Sequence, residues 1–179
     1  DELLAKTLSG GLASYCLDGY FFTEDPTDAY LNGHQQKVPL LVGRNSLEMS
    51  PQAYLGGKAP TLENLRPALE AAFGDKTDEA MRLYGLNTDR DVLGKPGVDF
   101  ASDQFIAYGT WLFGYLHAKT SGQPVYRYYF SHPRPAMRDK GLVAGLAGGV
   151  QKKGDDDVMT IPQNDEFKGA VHSADIEYA

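Results

Sequence analysis

Apolar residues along this chain fall into two short continuous runs separated by helical stripes. The first run, Val38-Pro39-Leu40-Leu41-Val42, is too short for a helix and has no polar alternation, which predicts a strand buried on both faces, as in parallel sheets. The second, Val125 to Phe130, is β-branched and aromatic and predicts another central strand, entered through Gly122-Gln123-Pro124 and ended by His132 to Pro135. Ahead of them, Tyr15 to Phe22 reads as an aromatic-rich strand or turn, followed by a short helix from Pro26 through Asp28 to Gly33. Between the strands, Pro51 to Pro60 reads as loop and residues near 61 to 65 as a turn. A helix is expected only from Pro67 to Phe73, because proline removes a hydrogen bond from a helix interior. Thr77, with Asp78 and Glu79 behind it, opens a helix with Met81 and Tyr84 on its inner side and Gly85 at its end. The longest helix is expected from Val98 to Lys119, mostly buried through a stripe of Phe105, Tyr108, Leu112 and Tyr115/Leu116 extended by Trp111 and Phe113. Gly141 to Asp157, glycine-rich and then charged, predicts a long surface loop.

The bulk properties narrow the possible partners. A chain of 179 residues with 42% hydrophobic content has the length of one domain and can bury a sizeable core. Its net charge of −7 gives no electrostatic drive toward a phosphate backbone, so nucleic acid is not an expected partner. No apolar stretch approaches the roughly 18 residues of a membrane span. Asp1 and Ala179 both look like cut ends, and no internal repeat is visible. Cys16 stands alone, which excludes an internal disulfide and reads as a small buried hydrophobe.

The candidate chemistry lies just past the first strand and near the end of the chain. Glu48 follows the apolar run within one loop, where α/β proteins build sites, and His172 sits in Gly169-Ala170-Val171-His172-Ser173-Ala174-Asp175. An acid that orients a histidine, which in turn moves a serine's proton, is the logic of acyl transfer, and residues on separate loops suffice for it. No serine here lies in G-x-S-x-G, so a nucleophile would have to come from outside these residues. His34, His117 and His132 read as surface or helix-end positions. Asp155-Asp156-Asp157 and the His172/Asp175 spacing lack the ligand count of a metal site, and Gly145 to Gly149 lacks the Lys-Ser/Thr of a P-loop.

Three stretches carry a family resemblance: Asp18-Gly19-Tyr20-Phe21-Phe22 with Pro26, the strand leading into Gly43-x-Asn45-x-x-Glu48, and Gly169-x-x-His172-x-x-Asp175-Ile176-x-Tyr178. Together with Asp103 and Phe105 in the expected order, they resemble the type B carboxylesterase and cholinesterase-like α/β hydrolases, nearly end to end. That resemblance implies the C-terminal part of an α/β-hydrolase domain over residues 1 to 179, with a mostly parallel sheet and flanking helices. It implies a Ser-Glu-His carboxylesterase in which Glu48 is the acid and His172 the base. Asp175, where the family usually has Glu, would brace the histidine loop; the acid's usual Asp-Glu-Gly setting is here Leu47-Glu48-Met49. No cofactor or metal is implied. The expected partners are a small-molecule ester substrate and a companion polypeptide segment bearing the serine and oxyanion hole; the sequence leaves the compartment open, the resemblance favouring a secreted or periplasmic one. The alternative is a catalytically inactive cholinesterase-like binding or adhesion module.

Overall fold

The computed structural model describes residues 16–135, 138–144, 150–152 and 169–178. In it the two apolar runs become β1 (Leu40–Asn45) and β2 (Val125–Phe130), hydrogen-bonded in parallel with Leu40 opposite Val125 and Asn45 opposite Phe130. Helix α1 (Pro26–Asn32) precedes them, and between them lie a 3₁₀ turn (Pro51–Tyr54), α2 (Leu62–Phe73), α3 (Thr77–Tyr84), α4 (Asp89–Leu93), α5 (Lys95–Ser102) and α6 (Tyr108–Thr120), with short 3₁₀ and π turns joining some of them. This is an α/β arrangement, with helices inserted between two parallel strands.

The core lies among the inserted helices. Leu55, Leu65, Leu69, Leu86, Val92 and Phe100 form one buried cluster, with Tyr54, Phe73, Met81 and Tyr84 packed against it. Phe100 is the hub, with Tyr84 edge-on to its ring at 5.9 Å. Helix α3 runs as the sequence predicts, from Thr77 to Tyr84 with Gly85 at φ +83 closing it, and α1 likewise ends on Gly33 at φ +73.

Helix α2 departs from expectation, because it starts at Leu62 and carries Pro67 in its interior. The Thr61 hydroxyl caps it by accepting from Asn64 N at 3.2 Å, and Leu65 and Leu69 are fully buried. An interior proline costs about 3 kcal/mol, whereas burying two leucines contributes about 1.5–3 kcal/mol each, so burial prevails.

The predicted long helix is also different. It begins at Lys95, and Asp103–Ala107 form a π-turn between α5 and α6. A π-turn holds an extra residue, which rotates everything beyond it by about one residue, roughly 100°. The stripe extrapolated from Phe105 is therefore out of phase. On α6 the buried residues are Gly114, Leu116 and His117, while Tyr108, Trp111 and Tyr115 are exposed. These three rings stack in a ladder, Trp111 on Tyr115 at 5.3 Å and 10°.

Three further expectations are corrected, and one is refined. The first strand starts two residues after Val38 and ends three after Val42, and it is not covered on both faces among the described residues, since Leu41 is 70% exposed. Helix α6 covers one face, where Gly114 comes so near that a Cβ would lie 3.0 Å from Val42 Cγ1. His117 lies in the last turn of α6, a helix end as expected, and is buried there, its Nε2 donating to the Val38 carbonyl at 2.8 Å. Cys16 is exposed, outside any core. Within the stretch expected to be a loop, β3 (Leu142–Ala144) pairs antiparallel with β4 (Val150–Lys152); the acidic run 155–157 and the glycine-rich run 145–149 lie outside the described residues. The apolar Leu142, Val143 and Val150 supply the β-propensity that the glycine content masks.

Tyr20, Phe21 and Phe22 form a turn, not a strand: the Asp18 carboxylate accepts from all three of their backbone N–H groups at 2.8–3.1 Å. Those bonds hold the Asp18 carboxyl below its ordinary range.

Candidate active site

Strand β1 ends at Asn45, and the chain then turns through a fully buried loop, Ser46 to Ser50. The histidine segment, 124 residues later, docks on this loop. Leu47 and Val171 form an isolated parallel bridge, Leu47 N donates to the Ala170 carbonyl at 2.9 Å, and Ala170 N donates to the Ser46 hydroxyl at 2.8 Å. One backbone bond and one to the Ser46 side chain thus tie the two segments together.

Within that frame Glu48 and His172 meet. The His172 Nδ1 lies 2.5 Å from Glu48 Oε2, with the carboxylate side chain 5% exposed and the imidazole 26%. The other carboxylate oxygen, Oε1, accepts the Asn45 backbone N–H at 2.5 Å. A carboxylate can only accept when ionised, so Nδ1 carries the hydrogen. His172 Nε2 is left without a hydrogen-bond partner among the described residues. The Phe105 ring stands edge-on to the imidazole at 5.2 Å and limits its rotation.

Local backbone geometry aims the histidine. The bond from Ala174 N to the Val171 carbonyl, 3.0 Å, closes a turn with His172 at its corner, and Ser173 follows at φ +64. A left-handed serine costs on the order of 1–3 kcal/mol, so the surrounding bonds must hold the turn in place.

Asp175 sits on the same turn and ties it to the sheet. Its Oδ1 accepts from Asn45 Nδ2 at 3.0 Å and its Oδ2 from the Tyr128 hydroxyl at 2.9 Å. Burial pushes its carboxyl up, but the bonds from Asn45 and Tyr128, with help from the His172 charge, outweigh that and hold it below its ordinary value. Among the described residues Asp175 makes its side-chain hydrogen bonds to Asn45 and Tyr128 and not to His172, so it braces His172 through the turn.

Several contributors were not singled out as site residues in the sequence. Asn45 is 2% exposed and its Nδ2 also donates to the Val171 carbonyl at 2.8 Å, so this one residue grips both the acid and the histidine segment. The Ser102 hydroxyl, wholly buried at the end of α5, accepts from the backbone of Glu48 and Met49 at 3.2 and 3.4 Å. Tyr128 can lie flat across β1 only because Gly43 opposes it, since a Cβ there would fall 2.3 Å from the tyrosine ring. Gly43 and Asn45 stood in the sequence pattern, but only the strand register gives them these roles.

The remaining histidines lie elsewhere: His34 pairs with Glu24 at 2.8 Å on the surface, and His132 is exposed beside Tyr178. Among the described residues no group of three or more His, Cys, Asp or Glu side chains is placed to hold a metal ion, and no helix is long and apolar enough to cross a membrane.

Near the pair, Asp103 opens the π-turn and borders a largely apolar cavity of about 400 Å³ with Phe73, Leu83 and Tyr84. Burial raises its carboxyl above the ordinary range, despite the Tyr84 hydroxyl at 3.0 Å and the nearby Arg44 charge, which both lower it. Burial likewise raises the Tyr84 phenol.

Comparison with known proteins gives one informative likeness. No family model matches the sequence, and no solved structure matches it. The chain is 34% identical over 116 residues, 64% of its length, to the fumonisin B1 esterase of Sphingopyxis macrogoltabida; it spans only about a fifth of that relative, 21% of its length.

Proposed function

We propose that this chain supplies the acid and the base of a serine carboxylic-ester hydrolase of the α/β-hydrolase type, Glu48 orienting His172. The observation that carries this reading is the contact at 2.5 Å between a buried carboxylate and Nδ1 of a partly exposed histidine whose Nε2 is left open. The esterase to which the chain is similar supports ester hydrolysis as the reaction.

The mechanism follows from those positions. A serine hydroxyl hydrogen-bonded to Nε2 gives its proton to His172 as its oxygen attacks the ester carbonyl. The imidazolium, its Nδ1–H held by Glu48, then passes that proton to the departing alcohol oxygen. Water repeats the cycle on the acyl-enzyme: its proton goes to Nε2, its oxygen takes the acyl carbon, and the serine regains the proton. Asp175, Asn45 and Tyr128 keep the histidine turn in place and touch no reacting atom.

Within the 179 residues no serine stands in G-x-S-x-G, so the nucleophile and the oxyanion donors belong to a companion polypeptide segment. The substrate is a small-molecule ester. Treatment of the protein, with its natural flanking sequence, by a fluorophosphonate followed by peptide mapping tests this. The expected label falls on one serine outside residues 1–179. A label on a serine within them overturns the companion segment, and absence of both label and ester turnover overturns the esterase.

A further inference from the structure

A second cavity, of about 230 Å³, lies between α6 and the sheet face that carries Val42 and Arg44; Arg127, Thr110, Trp111 and Tyr129 are on its wall, which Gly43, Tyr128 and Ala107 also border. The register explains the grouping. Arg44 is opposite Tyr129 and Val42 opposite Arg127, so the two arginines stand diagonally on one face of the two-stranded sheet. His172 and Glu48 are not among the lining residues, and Asn45, next to Arg44, points to the other face.

One cationic group of this cavity is left with an unsatisfied donor. Nη1 of Arg44 is buried and has no hydrogen-bond partner, although the guanidinium lies over the Tyr129 ring at 5.0 Å. Among the described residues neither Arg44 nor Arg127 makes an ion pair. Asp103 is near enough for its carboxyl to feel the Arg44 charge, but that carboxylate is engaged by the Tyr84 hydroxyl. A buried cationic donor without a partner is expensive to keep, and structures retain such groups where an anion completes them.

We propose that this cavity binds a small carboxylate with an aromatic or apolar body, its two oxygens taken by Arg44 and Arg127 and its ring set against Trp111 and Tyr129. The planar guanidinium fork matches a carboxylate, the Thr110 hydroxyl adds a donor on the helix side, and the aromatic wall favours a flat apolar body. The volume lies below the roughly 300–1,000 Å³ of pockets that take drug-sized ligands, which limits the ligand to a compact acid. This site is separate from the Glu48–His172 pair and does not depend on the ester-hydrolase reading.

Calorimetric titration of the full-length protein, with its natural flanking sequence, by benzoate tests the proposal, with benzamide and inorganic phosphate as controls. Saturable binding of one benzoate is expected, with benzamide and phosphate weaker by about tenfold or more. Arg44→Gln and Arg127→Gln should each weaken benzoate by about tenfold or more, as loss of a charge-assisted bond does. Arg127 is exposed, so its variant keeps the fold if the partly buried Arg44 variant does not. No saturable benzoate binding, equal binding of benzamide, tighter binding of phosphate, or unchanged affinity in Arg127→Gln would each overturn it.

Discussion

Replacing Glu48 by Gln changes one atom and, in this geometry, should reverse the hydrogen bond that defines the histidine's state. Oε1 is fixed as an acceptor by the Asn45 backbone N–H at 2.5 Å, so the glutamine carbonyl oxygen must occupy that position. Its NH₂ then replaces Oε2 and faces His172 Nδ1. An amide NH₂ can only donate, so Nδ1 must accept and the ring hydrogen moves to Nε2. Nε2, now carrying the hydrogen, could then not take the proton of the nucleophile in the proposed mechanism. The same wrong-tautomer substitution in a serine protease lowers kcat about 10⁴-fold, about 5.4 kcal/mol at 1.36 kcal/mol per decade. Because Glu48 is 5% exposed, no bulk water is on hand to restore the lost acceptor. The assay is hydrolysis of a chromogenic ester by the intact enzyme, with kcat and KM measured separately and folding followed by circular dichroism. A folded variant is expected, with kcat down by about three to four decades and KM little changed. Wild-type turnover in a folded Glu48→Gln protein would refute the role assigned to Glu48, whatever the contact distance.

Three other substitutions probe the scaffold. Gly43→Ala places a Cβ 2.3 Å from the Tyr128 ring and 2.5 Å from its carbonyl oxygen; it should destabilise by about 1–3 kcal/mol in urea unfolding, and a neutral result would disprove the close approach. Asn45→Ala removes the donor shared by Val171 and Asp175 and should lower kcat by about 10- to 100-fold with a smaller change in KM, which steady-state kinetics separate. Tyr128→Phe removes one of the bonds that lower the Asp175 carboxyl, so that carboxyl should titrate higher by carbon-detected NMR. The sign for stability follows: a depressed carboxylate stabilises the fold above its unfolded value, about 3.9, and that contribution is lost as pH falls through the folded value. Acid unfolding of the Tyr128→Phe protein should therefore begin at higher pH than in the wild type.

The pairing of Glu48 with His172 was legible because short motifs surround both residues. Helix ends at Gly33 and Gly85 were legible for a local reason, since the left-handed caps they adopt require nothing beyond the helix they close. What sequence concealed was the outcome of competitions between local and distant terms. Pro67 signals a helix boundary by itself, and only the burial of Leu65 and Leu69 against a core assembled from other helices overrides it. The π-turn at Asp103–Ala107 leaves no mark in a hydrophobic stripe, yet it decides that Phe105 meets His172 while Trp111 and Tyr115 face outward. Ser102 reads as one more helix residue until its hydroxyl is found under the backbone of the acid loop.

Register is the deepest of these hidden terms, because every brace on the histidine turn is counted from it. Gly43 opposes Tyr128, and Asn45 lies two residues further on, so all three belong to the same face of the sheet. On that face the Tyr128 phenol and the Asn45 amide converge on the two oxygens of Asp175. Arg44, between Gly43 and Asn45, is left to the opposite face and its separate cavity. A shift of pairing by one residue would exchange these sets, placing Arg44 toward Asp175 and turning Asn45 away from the acid loop. The apolar run Val38–Val42 cannot specify that choice, since its residues are apolar at both parities. Specification falls instead to Gly43, the one residue of β1 whose missing side chain admits a tyrosine across the strand. Slippage by one position would press that ring onto Val42 or Arg44, so a glycine with no chemistry of its own determines which face of the sheet meets the histidine.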